Sequence, residues 1–388
     1  MILPTVWETD PFLKFDPMKI CFLANAASIH IQRLAAYFAE RGHQIHVVSL
    51  EPGSVPGAAV HYVRWRPKVK QIGYLAALPR IRRVVARIQP DVLHAHYAIS
   101  YGVLGALCGF RPLAIAAMGS DILVTPGKSW LRWAVLTCAL KRADLITSAA
   151  GHISQVLMDH GIPREKIDTF PNGVDTQVFR PGPGLCRERE MDIICTRNFN
   201  EIYNVELLLR ALPKAVRRNP GLKCALAGDG PRQESLQAEA QQLGIGENLS
   251  WLGWLSSSEL ARWLQRSKVY VSPTLSDGTS TALTEAMACG CFPIALDIPA
   301  NRPWIQNGKT GFLAPAATPE CLADAILKAL DQDVDLEAAA EANSETIRER
   351  ADWYSIMQRL EEHYIRLAEM KDHKLLRPEA RPHPGEII

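Results

Sequence analysis

The sequence predicts an α/β protein made of two domains with parallel sheets. Three observations carry that reading. The chain has 388 residues, more than a single hydrophobic core usually organises. Short apolar runs alternate with helical stretches, which is the pattern of parallel α/β folds. The alternation breaks at Arg180-Pro181-Gly182-Pro183-Gly184 and then restarts, as it does across an exposed linker.

Taken in order, residues 1–17 read as a short extension before the fold. Lys19–Ala24 is the first strand, Ile31–Arg41 a helix ending at Gly42, and Ile45–Leu50 the next strand. Asp91–His96, Leu113–Ala117 and Asp144–Ser148 continue the first domain, which runs to residue 180. The second half repeats the pattern with strands at Asp192–Thr196, Lys223–Ala227, Leu249–Leu252 and Val269–Ser272. Helices at Glu206–Arg218, Gln233–Leu243 and Ser258–Arg266 fit between them. After Thr318 the chain reads as helical to about Met370, and 371–388 reads as a flexible tail.

Composition narrows the class. Hydrophobic residues make up 47% and charged residues 22%, ordinary for a soluble globular protein. No apolar run reaches the ~20 residues of a membrane span, and the acidic N-terminus does not read as a signal peptide. Nine cysteines without a Cys-x-x-Cys pair suit a reducing, cytoplasmic setting. Cys289 and Cys291 lie in an apolar segment, where free buried thiols are common.

The net charge of +2 is unevenly spread, with 20 Lys and Arg against 12 Asp and Glu in residues 1–180. No acid separates Glu51 from Asp91, whereas Arg64, Arg66, Lys68, Lys70, Arg80, Arg82, Arg83 and Arg87 all fall between them. Together with Trp130, Leu131, Trp133 and Leu136, this stretch reads either as a solvated face or as a peripheral contact for an anionic membrane or acceptor. No nucleic-acid partner is expected.

The most informative stretch is Ser276-Asp277-Gly278-Thr279-Ser280-Thr281-Ala282-Leu283-Thr284-Glu285-Ala286-Met287-Ala288-Cys289-Gly290. It follows a strand, turns at Asp277-Gly278 and opens a helix rich in small hydroxyl residues. Such helix starts offer free N–H groups to an anion. Ordinary capping by Asp277 or Ser280, with Glu285 solvated, explains the same residues.

The stretch resembles the acidic-x7-Glu signature of retaining glycosyltransferase family 4, with Asp277 and Glu285 as the two acids. The likeness extends to Pro171–Phe179, Ala227-Gly228-Asp229-Gly230-Pro231, Gly253 with Glu259-Leu260, and Asn307–Leu313. It implies the GT-B fold of two facing Rossmann-like domains, 18–180 on the acceptor side and 181–350 on the nucleotide-sugar side. A helix over 351–370 would cross back to the first domain. It also implies transfer of a sugar from a nucleotide-diphosphate donor to a glycan, lipid-linked or small-molecule acceptor, with retention, in cell-surface polysaccharide or glycolipid synthesis. No cofactor or metal is implied.

By position, Glu285 would hold the donor ribose, and Asp277 and Arg197 would serve catalysis. Gly278, Thr279, Ser280 and Thr281 would face the sugar or diphosphate through the helix start. Relatives carry a Lys shortly after Arg197, and here Glu201-Ile202-Tyr203-Asn204 stands in its place. Ala117-Met118-Gly119-Ser120-Asp121 is similar to the loop over the donor sugar. Relatives often have His where Met118 stands, so Gly119, Ser120 and Asp121 are the expected sugar contacts. Trp254 and Leu255 are the nucleobase candidates. Ser28 and His30 replace a Gly-rich loop and are candidates for acceptor or donor. His96 points either into the cleft or into the core.

Two look-alikes fail on their own spacing. Asn307-Gly308-Lys309-Thr310 resembles the end of a P-loop, but Pro303 stands where its first glycine belongs. Asp331-Gln332-Asp333-Val334-Asp335 lacks the glycine and the twelfth-position Glu of a calcium loop, having Leu336 and Ala342 instead. The two rival readings are a GT-B sugar-nucleotide epimerase and a non-catalytic sugar-nucleotide-binding subunit.

Overall fold

The computed structural model describes residues 16–65, 70–127, 129–184, 186–331 and 334–376. Most of the expected N-terminal extension and tail lie outside the described residues, as do Arg66 and Lys68 of the basic stretch and Gln332 and Asp333 of the acidic run.

The chain forms two parallel sheets. The first has seven strands: β1 (Lys19–Leu23), β2 (Gln44–Ser49), β3 (Ala58–Tyr62), β4 (Val92–His96), β5 (Leu113–Ala117), β6 (Leu145–Ser148) and β7 (Ile167–Thr169). Their order is β3-β2-β1-β4-β5-β6-β7. The second has six: β8 (Met191–Cys195), β9 (Cys224–Ala227), β10 (Leu249–Gly253), β11 (Ser267–Ser272), β12 (Phe292–Leu296) and β13 (Phe312–Ala314), in the order β10-β9-β8-β11-β12-β13. In both sheets the order reverses beside the first strand, between β1 and β4 and again between β8 and β11. Ligands of open α/β sheets bind outside the carboxyl ends of the strands at such a switch point.

Four strands are absent from the sequence reading: β3, β7, β12 and β13. β7 and β13 have three residues each, too short to show a period. β12 reads Phe-Pro-Ile-Ala-Leu and is buried throughout, and a continuous apolar run does not distinguish strand from helix. The other strands sit within two residues of expectation.

By compactness the chain divides into two units. One comprises Met1–Ala116, Ser129–Ile146 and His363–Ile388, and the other Ala117–Lys128 and Thr147–Glu362. In the second unit the strand alternation is visible in the core. Ile193, Cys195, Val269 and Val271 enter one apolar cluster, while Ile194 and Tyr270 enter another, because successive residues of a strand face opposite sides of the sheet. The terminal helix Trp353–Leu376 begins in the second unit and ends in the first. There Tyr364 is buried, with its hydroxyl 2.5 Å from Nδ1 of His94 and its ring against Phe38. Among the described residues no helix is long and apolar enough to cross a membrane.

All nine cysteines are free. Cys289 and Cys291 are fully buried, and burial pushes both thiols up, Cys291 to about 12. They pack rather than react.

Candidate functional site

The site grows from the switch point of the second sheet. β8 ends at Cys195, and two residues later Arg197 turns inward until only 6% of it is exposed. Its Nη1 donates to Ser280 Oγ at 2.9 Å and its Nη2 to Asp277 Oδ2 at 2.8 Å. The guanidinium lies 4.2 Å from the ring centre of Tyr203. Burial opposes the charge of Arg197, but Tyr270, Asp277 and Tyr203 together hold it above its ordinary pKa. A guanidinium so enclosed is a fixed cation with a planar fork, suited to oxyanions.

Tyr203 lies in the segment Glu201–Asn204 that stands where the resemblance calls for a Lys. A short turn, Glu201–Tyr203, ends at Asn204 in the left-handed region, and this carries the ring under Arg197. One cation and an aromatic platform stand where two cations were expected. Only the missing Lys marked the position, and nothing in the sequence said what the tyrosine does.

Gly228 explains why the Ala227-Gly228-Asp229-Gly230 loop accompanies this arrangement. A Cβ at Gly228 would lie 2.6 Å from the Arg197 carbonyl oxygen. The loop after β9 therefore packs backbone to backbone on the loop that carries Arg197, and Phe199 N–H donates to the Asp229 carbonyl at 2.7 Å.

The helix after β11 starts at Thr281, with Ser280 as its N-cap accepting from the Leu283 N–H at 3.3 Å. Capping therefore falls to Ser280, and Asp277 is left for Arg197. The free main-chain donors expected at Gly278–Ser280 are fewer than the sequence reading has them: the Gly278 N–H donates to Oδ1 of its own neighbour Asp277 at 2.8 Å. Thr279, 6% exposed, donates its hydroxyl to the Ala149 carbonyl. Thr281 and Glu285 are half-buried and one turn apart on the same helix, so they share a face.

Within the same unit, the Met118-Gly119 segment packs directly on Gly278. A Cβ on Gly278 would fall 2.3 Å from the Met118 carbonyl oxygen, so only glycine fits. Asp121, expected to meet a sugar, is instead wholly buried. Its carboxylate accepts from the Gly119 N–H at 2.8 Å and the Met118 N–H at 3.0 Å. An acid spent on two amides and closed from solvent shapes the loop, which corrects its assignment as a sugar contact. Gly119 is buried and Ser120 exposed. His152, which the sequence reading passed over, sits beside Asp277: burial lowers its pKa, and the Asp277 carbonyl and carboxylate pull it back up.

The remaining candidates fall in both units. Trp254 is 68% exposed with Leu255 half-buried beside it. In the first unit, Ser28 is the N-cap residue of helix Ile29–Glu40 without a side-chain bond to it, and His30 is exposed. His96 packs against Phe22 and lies 4.2 Å from His94 between ring centres. Its Nε2 is buried without a partner, and burial, then His30, lowers its pKa to about 3. It is a neutral imidazole near pH 7.

Two family models match the chain, glycosyl transferases group 1 over residues 183–347 and glycosyl transferase 4-like over residues 19–150. The phosphatidylinositol N-acetylglucosaminyltransferase gpi3 subunit of Schizosaccharomyces pombe is 19% identical over 365 residues, covering 89% of this chain and 79% of its own. The phosphatidyl-myo-inositol mannosyltransferase of Mycobacterium tuberculosis is 26% identical over 347 residues, 84% and 88% of the two chains. Among solved structures, Anabaena HepE in complex with UDP and glucose superposes with a TM-score of 0.74 at 19% identity, over 89% of this chain and 99% of that one. A glycosyltransferase from Rickettsia africae gives a TM-score of 0.76 at 17% identity, over 91% and 99%.

Proposed function

The chain belongs to the group 1 glycosyl transferases and has the GT-B fold, and from that membership we propose that it moves a sugar from a nucleotide-diphosphate donor to an acceptor with retention at the anomeric carbon. The observation that carries the reading is the Arg197–Asp277–Ser280 cluster at the switch point of the second sheet. When the bond from the anomeric carbon to the diphosphate breaks, negative charge grows on the leaving oxygen. A preorganised, water-poor cation stabilises such charge best. The new bond forms to the acceptor hydroxyl, whose proton passes to the departing diphosphate. No enzymatic base is required by this route.

In this reading Arg197 meets the diphosphate and Asp277 the transferred sugar, with Thr281 and Glu285 on the ribose side. Tyr203 holds the guanidinium from beneath. In the second unit Gly119 and Ser120 complete the donor contacts and exposed Trp254 with Leu255 serves the nucleobase; in the first unit His96 is the candidate for the donor, and Ser28 and His30 for the acceptor. The UDP in the HepE complex makes UDP-sugars the first donors to test. The phosphatidylinositol in the relatives' names favours a lipid-linked acceptor, reached by a peripheral contact of the basic residues with the inner face of an anionic membrane.

Sugar transfer with UDP-, GDP- and ADP-sugars tests the proposal. Arg197→Ala is expected to lower kcat roughly 100–1,000-fold, and Glu285→Ala to raise the donor KM at least as much as it lowers kcat. Full activity of Arg197→Ala with the true donor defeats the assignment. Met118 and the missing Lys favour one second reading, a non-catalytic binding subunit, which predicts nucleotide binding without any turnover.

A further inference from the structure

We propose that the first unit carries a separate binding site for a phosphate group, in the pocket between β3 and helix Lys70–Ile88. The pocket has a volume of about 560 Å³, and four of the residues lining it are arginines: Arg64, Arg80, Arg83 and Arg87. Val63 and Val84 line it as well. Arg80, Arg83 and Arg87 stand three and four residues apart, so one face of the helix presents all three. Arg64 follows the end of β3, and Arg80 Nη1 donates to its main-chain carbonyl at 2.8 Å, which ties the backbone of the fourth arginine to the same rim.

The missing counter-charge sets this group apart from a solvated basic face. Elsewhere in the protein such faces are interleaved with acids: Arg210 and Arg232 meet Glu206, Arg218 meets Asp331, and Arg302 meets Asp297. None of the four pocket arginines has a carboxylate partner among the described residues, and no acid occurs between Glu51 and Asp91. The helix dipole accounts for Arg87 in the last turn but not for Arg80 or Arg83. Four exposed arginines lining one open concavity suit a phosphate monoester or diphosphate, whose oxygens accept several charge-assisted bonds at once. Beside it on β3, His61 lies 3.0 Å from the His46 ring nitrogen and within the field of Arg87, close enough to report on an anion.

The test uses the full chain with histidine-selective isotope labelling, His61 being assigned through His61→Gln. Inorganic diphosphate is titrated at constant ionic strength. The His61 resonance should move saturably and shift toward the protonated form. Arg83→Ser with Arg87→Ser should raise the half-saturation point at least tenfold, in protein whose circular dichroism is unchanged. Arg217→Ser with Lys223→Ser, an equal loss of charge in the second unit, should leave it unaltered. Phosphatidylglycerol vesicles distinguish the source: competition with diphosphate identifies a lipid headgroup, and its absence a soluble phosphate ester. The absence of a saturable His61 shift in the wild type, or equal weakening by both double variants, overturns the site. Neither result touches the transferase assignment, which turnover alone decides.

Discussion

Replacing Asp277 with Asn removes one charge and hardly changes the side chain's shape. In the native pair the Arg197 side chain is 7% exposed, Asp277 is 20% exposed, and they are 2.8 Å apart. The cation is the more enclosed partner, so it suffers most when the carboxylate goes. What remains to it is the Ser280 hydroxyl and the Tyr203 ring. Breaking a buried pair costs about 3–5 kcal/mol, and water reaching the exposed side of residue 277 brings the expected loss to about 2–3 kcal/mol. A change of 1 kcal/mol moves the midpoint of a unit this size by about 2–4 °C, so Tm should fall by roughly 5–10 °C. The nucleotide then separates structure from function. In the wild type an incoming diphosphate competes with Asp277 for the guanidinium, whereas in Asp277→Asn it supplies the missing anion. The nucleoside diphosphate that the wild type binds should therefore bind the variant about tenfold more tightly, or ~1.4 kcal/mol, and raise its Tm by more, while kcat falls. Thermal denaturation and calorimetry with and without nucleotide give both numbers. An equal nucleotide-induced rise in Tm in the two proteins refutes the meeting of diphosphate and Arg197.

Two further perturbations follow from the same geometry. Tyr203→Leu should lower kcat up to about thirtyfold with little change in acceptor KM, whereas Tyr203→Phe, which keeps the ring, should retain activity, because a desolvated cation–π contact is worth about 2 kcal/mol; equal losses in both variants would assign the effect to the hydroxyl instead. His96, with a pKa lowered to about 3 in the fold, stays neutral while an unfolded imidazole takes a proton near pH 6.5. Stability should thus be unaffected by this group above pH 7 and decline as pH falls from about 6.5 toward 3, by about 1.4 kcal/mol per pH unit. Urea melts of wild type and His96→Gln at pH 7 and pH 5 check this: parallel losses in the two proteins would mean that another group titrates.

The sequence by itself determined the two-unit α/β plan and the helix start at 277–281. Each of these is written in local pattern: period, turn residues and capping chemistry act over a few neighbours. The roles of single side chains were not legible in that way. Asp121 and Asp277 are both acids beside glycines and hydroxyl residues, yet one is consumed by two amides of its own loop and the other pairs with a cation 80 residues away. Gly278 reads as a turn residue, but what demands glycine is the Met118 carbonyl lying against it. Tyr203 became part of the site because the order β9-β8-β11 sets the ends of β8 and β11 side by side. Such contacts join residues far apart in sequence, and they exist only once the sheet has chosen its neighbours.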